Sequence, residues 1–389
     1  MRRWLALALA GLLLRPVAAE PWLRPADLPW APPALAAEAR AVLLAQADVA
    51  LQLVPPTVLD KTLLPASGDR RDYLSFGPYW WPDPTKPDGL PYVRRDGQRN
   101  PASANGSDAA ALARIGRAVE VLGLAYEATG DERYASKAAQ LARVWFLDDQ
   151  RGMRPNFLHA QAIPGVTSGR GIGIIEARWL IAINEGLARL AGSIAWGEAE
   201  QAALREWMAV FYGWLRSHPN GLDEEAEHNN HGSWYDALVV HLALVLGEQG
   251  QARERLRVGL QRRLEAHVDP DGSQPHELAR TLSLDYSLFN LEALAICAEL
   301  GERVGVDWWG HVSSDGRSLA KALRYLLPYL LDPNKPWPHA QLKPADRRRL
   351  IPMIAVAARG RADAELTAAL RAALPTAEAG KLGRILSGW

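Results

Sequence analysis

The chain has 389 residues, with 44 basic side chains against 44 acidic ones, so it lacks the field that a nucleic-acid-binding protein presents. A single cysteine, Cys297, excludes an internal disulfide framework, and a chain of this length can bury a sufficient core without one.

The chain opens with Met1-Arg2-Arg3, an apolar run from Trp4 to Leu14, and the small residues Val17-Ala18-Ala19. This pattern reads as a secretory signal peptide over residues 1–19, cut before Glu20, and predicts a periplasmic or secreted protein. The leader holds three of the basic residues and no acids, which leaves the remainder at net −3. No later apolar run is long and uncharged enough to span a bilayer, so no membrane association is expected after cleavage. Residues 20–389 show no Ser/Pro-rich linker and read as one catalytic domain.

Helical periodicity then dominates. Apolar faces repeat over roughly 33–52, 107–129, 172–191, 197–216, 231–246, 251–267, 284–300, 315–331, 344–358 and 362–374. A further run opens on Asp131-Glu132-Arg133, with Tyr134, Ala138, Leu141 and Trp145 on one face. Gly130, Gly221, Gly247, Gly250 and Gly301 read as stops or turns. Alternating β patterns are nearly absent, and no repeat of fixed period is visible. The expected class is all-α: an (α/α) toroid, closed or incomplete, of antiparallel helix pairs. Cys297, within Ala295-Ile296-Cys297-Ala298, reads as inert packing.

Two long segments resist the helical reading. Residues 53–106 include Ser75-Phe-Gly-Pro-Tyr-Trp-Trp-Pro-Asp-Pro84, and residues 148–171 include Asn156-Phe-Leu-His-Ala-Gln161 and Thr167-Ser-Gly-Arg-Gly171. Loops of this length inside a domain are usually functional, and their aromatic content argues against disorder. Of fifteen tryptophans, most are expected in the core. Tyr79-Trp80-Trp81, Trp234-Tyr235 and Trp308-Trp309 sit beside turn residues and are candidate platforms for sugar rings.

Two short stretches concentrate the chemistry. His228-Asn-Asn-His-Gly-Ser-Trp-Tyr-Asp236 precedes the apolar run 237–246, so Asn229, Asn230 and His231 fall at or just before a first helical turn. One cap needs one residue, and four consecutive polar side chains exceed that need. The second stretch runs from His276-Glu277 through Arg280 to Tyr286 and Asn290. A zincin motif fails there, because Arg280 stands where the second histidine is required. His228 and His231 lack further ligands, so no metal or cofactor is expected. There is no Gly-x-Ser-x-Gly elbow, and Gly169-Arg-Gly-Ile-Gly173 has no strand before it to make a dinucleotide site. A glycoside hydrolase remains the alternative, with Asp223, Glu224, Glu225, Glu227, Asp236 and Glu277 available, although 223–227 reads as a solvated acidic turn.

The Asn229-Asn230-His231-Gly-Ser-Trp-Tyr235 text resembles the Asn-Asn-His signature of the alginate lyase superfamily, whose members fold as α/α toroids. The Tyr79–Pro84 loop, the Gly169–Glu176 segment and the Arg280…Tyr286 pair resemble the branch of alginate and glucuronan lyases, polysaccharide lyase family 38. The likeness covers roughly residues 60–375. It implies an anionic polysaccharide substrate, a β-1,4-linked polyuronate cleaved by β-elimination to 4,5-unsaturated uronides. It implies that Asn230, assisted by Arg280, neutralises the uronate carboxylate, and that His231 and Tyr286 handle protons. Tyr79, Trp80, Trp81, His159, Gln161, Arg170, Asn229, Trp234, Tyr235 and His276 are implied to line the sugar groove.

Overall fold

The computed structural model describes residues 33–358 and 363–373, so the leader expected over 1–19 lies outside the described residues. Thirteen α-helices follow one another among them: α1 (Pro33–Leu51), α2 (Ala109–Thr129), α3 (Glu132–Ala142), α4 (Trp179–Ala188), α5 (Glu198–Ser217), α6 (Pro219–Ala226), α7 (Asn230–Val245), α8 (Gln249–Gly259), α9 (Pro275–Leu278), α10 (Ser283–Val304), α11 (Leu319–Leu331), α12 (Leu350–Ala358) and α13 (Ala364–Ala373). Short links force consecutive helices to run back along each other. Thus α2 packs against α1, α3 and α4, α7 packs against α8 and α10, and α11 packs against α12 and α13. The result is an all-α toroid of antiparallel pairs, as expected from the periodicity. Among the described residues no helix is long and apolar enough to cross a membrane.

The caps explain several boundaries. Asp131 accepts from the Arg133 N–H at the start of α3, Ser318 from the Lys321 N–H at the start of α11, and Gly130 and Gly305 end α2 and α10 in the left-handed conformation. The α2–α4 contact is set by glycine on both sides. A Cβ on Gly123 would lie 2.2 Å from the Gly186 carbonyl oxygen, so neither helix tolerates a side chain there.

The two non-helical segments carry the Tyr79–Trp81 and His159–Gln161 candidates. They hold four short strands: β1 (Leu74–Phe76), β2 (Trp80–Trp81), β3 (Val93–Arg94) and β4 (His159–Ala162). β1 runs parallel to β4, and β2 pairs antiparallel with β3 as a small ribbon. The expected helix at 172–191 opens instead as a 3₁₀ segment, Gly171–Arg178, before α4. Its Glu176 is half-buried and accepts hydrogen bonds from Tyr73 and Ser75, which fastens the β1–β4 pair to the helical body. A buried ion pair anchors the other end of the loop. Lys61, with no exposed side-chain surface, donates to the Val58 and Arg70 carbonyls and lies 3.1 Å from Asp108, just before α2.

Candidate active site

The turn between α6 and α7 places the first pair of candidates. Arg263, buried in a π-helical turn (Leu260–Glu265), donates to the Glu227 and Glu225 carbonyls and to Asp236 of α7. These bonds hold the end of α6 against the start of α7. Asn229 is a plain N-cap, its side chain accepting from the His231 N–H at 2.9 Å.

His231 is the second residue of α7, and its Nδ1 is 2.9 Å from Oε1 of Glu224. Glu224 is fully buried, which corrects the reading of 223–227 as a solvated acidic turn. The stretch is helix α6, and the inward face of that helix carries Glu224 under the histidine. Burial alone would lower the His231 pKa, but Glu224, with Glu227 and Glu277 nearby, raises it above the ordinary imidazole value. The side chain keeps 15 % of its surface, so with Nδ1 engaged by Glu224 the Nε2 edge is the one left to face a substrate.

Asn230 is fully buried. Its backbone N–H and its Nδ2 each donate to Glu277 at 2.7 Å, one to each carboxylate oxygen. Its Oδ1 has no partner. The sequence expectation of an amide open to a substrate carboxylate therefore meets a different arrangement, in which Glu277 holds the amide in the wall. One Nδ2 hydrogen is used in this way and the second is not. Burial pushes the Glu277 carboxyl up to about 7, against the pull of its two bonds from Asn230 and of Arg280 and His231 nearby.

The second pair lies where α9 turns into α10. Arg280 Nη2 donates to the Tyr286 hydroxyl at 2.8 Å, and the guanidinium carbon lies 3.9 Å from the centre of the phenol ring. The Tyr286 hydroxyl donates in turn to the Tyr79 hydroxyl at 2.8 Å. Arg280 is also paired with Asp96, at 2.7 Å from Nη2. Burial and the Tyr79 hydroxyl raise the Tyr286 pKa well above that of a free phenol, with Arg280 opposing. Tyr286 is therefore a neutral hydroxyl at neutral pH, suited to giving a proton.

The remaining candidates divide. Arg170 donates to the Gln161 carbonyl and, at 2.8 Å, to its Oε1, and lies over the Trp80 ring at 5.8 Å. Gln161 adopts a φ of 48°, costly for a residue with a Cβ, and this conformation turns its amide towards Arg170. Burial, followed by the like charge of Arg94, lowers the Arg170 pKa to about 10, so it stays cationic at neutral pH. His159 is buried, with Nδ1 on the Ser168 carbonyl and Nε2 unpartnered. Trp80 and Trp81 are partly exposed, and Trp81 is held by the Gln98 carbonyl and Arg95. His276 is exposed and packs edge-on to His228.

Trp234 and Tyr235 are corrections. Both are buried in the core, Trp234 against Phe289 with its indole N–H on the Phe289 carbonyl, Tyr235 with its hydroxyl on the Leu215 carbonyl. They sit on α7 after the partly exposed His231, where every residue from Gly232 to Ala243 is buried. Trp308 and Trp309 are likewise core residues and not platforms. Three acids organise the site: Glu224 and Glu277, which the sequence offers only among the carboxylates of the alternative hydrolase reading, and Asp96, which it does not single out. Nothing local marks either glutamate as the partner of His231 or Asn230, and Asp96 carries no local signal.

Among the described residues no group of three or more His, Cys, Asp or Glu side chains is placed to hold a metal ion. The residues available to a ligand are thus an imidazole edge, a phenol hydroxyl, buried amides and guanidinium groups. A family model described as alginate lyase matches residues 57–337. The crystal structure of an alginate lyase from Bacteroides ovatus is similar at a TM-score of 0.88 and 36% identity, over 96% of this chain and 100% of its own. Alginate lyase A1-III from Sphingomonas species A1 shares the fold at a TM-score of 0.54 and 18% identity, over 89% of this chain and 94% of its own. No curated protein matches the chain. With its Asn-Asn-His turn, its Arg280–Tyr286 pair and these likenesses, the chain belongs to the alginate lyase family and is a polysaccharide lyase.

Proposed function

We propose that the protein cleaves a β-1,4-linked polyuronate, alginate (mannuronan) or glucuronan, by β-elimination to 4,5-unsaturated uronides. The observation that carries this reading is the Arg280–Tyr286–Tyr79 hydroxyl chain, lying beside the Glu277 that holds Asn230 and is felt by His231. The Bacteroides ovatus relative is named an alginate lyase, which makes alginate the first polymer to test.

The C5 proton of a uronate lies next to a carboxylate, and its removal places further negative charge on an anion. Groups that meet the charge as it develops lower that barrier. Here they are the Asn230 amide and, where Tyr286 is the base, the imidazolium form of His231. The neutral Tyr286 hydroxyl is placed to protonate the departing O4. The C5 proton goes to the neutral imidazole of His231 if base and leaving group lie on opposite faces of the ring; if they share one, Tyr286 takes it as the tyrosinate and passes it to O4.

Incubation with alginate, mannuronan and glucuronan, followed by ultraviolet absorbance of the conjugated product, tests the proposal. Growth of that absorbance with at least one polymer is expected. New reducing ends without absorbance would instead identify a glycoside hydrolase, and binding without product a sugar-binding protein.

The Glu224–His231 pair yields a second prediction. If His231 is the base, activity rises with pH as its imidazolium loses a proton, at a pH above the ordinary imidazole value because Glu224 raises its pKa. Glu224→Gln removes that support and leaves burial as the larger influence. The acidic limb of kcat/KM should then move down by roughly 1–3 pH units. An unmoved limb in a folded Glu224→Gln enzyme assigns the base to Tyr286.

A further inference from the structure

The chain that leaves β3, at the open end of the β2–β3 ribbon, closes on the turn that carries Arg280. Asp96 is the point of contact. Its carboxylate accepts from Arg280 Nη2 at 2.7 Å and Nε at 3.3 Å, from the Thr281 hydroxyl at 2.8 Å and N–H at 3.3 Å, and from Arg94 at 2.9 Å. The next residue, Gly97, is seated at φ 72° with no room for a Cβ, which would lie 2.4 Å from the Thr281 hydroxyl. The carboxylate is thus saturated, and the segment after β3 is docked against Thr281 and Leu282 as a fitted surface.

This geometry changes what Arg280 is available to do. Its side chain is 19% exposed, with one face on Asp96 and the other on the Tyr286 ring and hydroxyl. A guanidinium held on both sides by a carboxylate and a phenol has little left for a mobile substrate carboxylate. Arg94, at the other side of the same Asp96 oxygen, is 55% exposed and is the cation of this cluster that solvent and polymer reach.

We propose that Asp96 is a positioning residue that commits Arg280 to the Tyr286 hydroxyl and withholds it from the carboxylates of the substrate. The assignment rests on the proton-handling role of Tyr286 proposed above. Asp96 fixes the hydroxyl along the Arg280–Tyr286–Tyr79 line and, by balancing the Arg280 charge, keeps the phenol protonated. The charged groups around Tyr286 are Arg280 from the α9–α10 turn and Asp96 from the segment after β3, with Tyr79 as the neighbouring phenol. Glu277 faces Arg280 from α9, and Arg94 faces Asp96 from the ribbon itself.

Asp96→Asn and Asp96→Ser test this, and either variant that folds is sufficient. The uncompensated Arg280 and Arg94 charges should draw the Tyr286 phenol to ionise earlier by roughly 1–3 pH units. The shift is read as tyrosinate absorbance in the free enzyme and assigned by its absence in the matching Tyr286→Phe double variants. With polyuronate as substrate, kcat should fall at least tenfold, KM should not rise, and an alkaline limb should enter the pH–rate profile. Asp96→Glu, which restores the charge, should remove that limb. An unchanged tyrosinate titration, or a loss of rate uniform across pH with a raised KM, overturns the proposal. The titration needs no substrate, so it judges Asp96 even if no polyuronate is cleaved, an outcome that would count against the proposed function alone.

Discussion

Tyr286→Phe is expected to lower kcat by on the order of 10²–10⁴-fold while leaving KM for the polymer nearly unchanged. The substitution removes one oxygen and leaves the ring, so the stacking of Arg280 at 3.9 Å persists. Arg280 also keeps its pair with Asp96, and the groove keeps its shape. What disappears is the proton donor linked to Tyr79 and Arg280. Loss of these hydrogen bonds costs about 1 kcal/mol of stability, too little to unfold the enzyme and easily separated from catalysis by a melting curve. In either assignment of the C5 base Tyr286 still protonates O4, so the expected loss does not depend on whether His231 or Tyr286 removes the C5 proton. A folded Tyr286→Phe enzyme with full turnover would remove Tyr286 from the chemistry.

The largest effect on stability is expected at Lys61→Met. The ammonium has no exposed surface and satisfies two backbone carbonyls and Asp108. Asp108 in turn accepts from the Leu74 N–H at the start of β1, so one cation ties the aromatic-rich loop to α2. Removing it leaves a buried carboxylate unpaired, and breaking such a pair costs about 3–5 kcal/mol. Burial already pushes the Asp108 carboxyl up to about 7 with Lys61 present. A carboxyl whose folded pKa is raised favours folding only in its protonated form, and that contribution is lost as pH rises through the folded value. Without Lys61 the folded value rises further. The deficit of Lys61→Met relative to wild type should therefore widen as pH increases above about 7, as measured by denaturant midpoints across pH. A deficit under about 1 kcal/mol, or one that narrows with pH, would show that the pair does not anchor the loop.

Both predictions depend on contacts that differ in how visible they were beforehand. Asn229 was readable as a cap because capping is a relation across two residues. The helical course of α2, α5, α7 and α10 followed from apolar spacing within each segment, since a side chain repeats its direction every three to four residues. Glu224 was misread because its neighbours Asp223, Glu225 and Glu227 suggested water, whereas α6 turns that single position inward under His231. Trp234 and Tyr235 were misread in the opposite sense. They adjoin the polar turn in sequence, but α7 rotates them into the core within one turn of His231.

The helix class, the positions of the Asn229–His231 turn and the Arg280–Tyr286 pair, and the membership in a lyase family could all be drawn from the chain as written. Those features rest on periodicity and on short runs of polar residues, which are properties of neighbouring positions. Their partners could not be drawn from it. Asn230 meets Glu277 across 47 positions, Arg280 meets Asp96 across 184, and Tyr286 meets Tyr79 across 207. Such pairs exist only because the toroid packs α7 against α10 and the loop before α2 meets Arg280 and Tyr286. Burial in that packing keeps Tyr286 protonated and raises the Glu277 pKa, while the buried Glu224 raises that of His231 against the effect of burial.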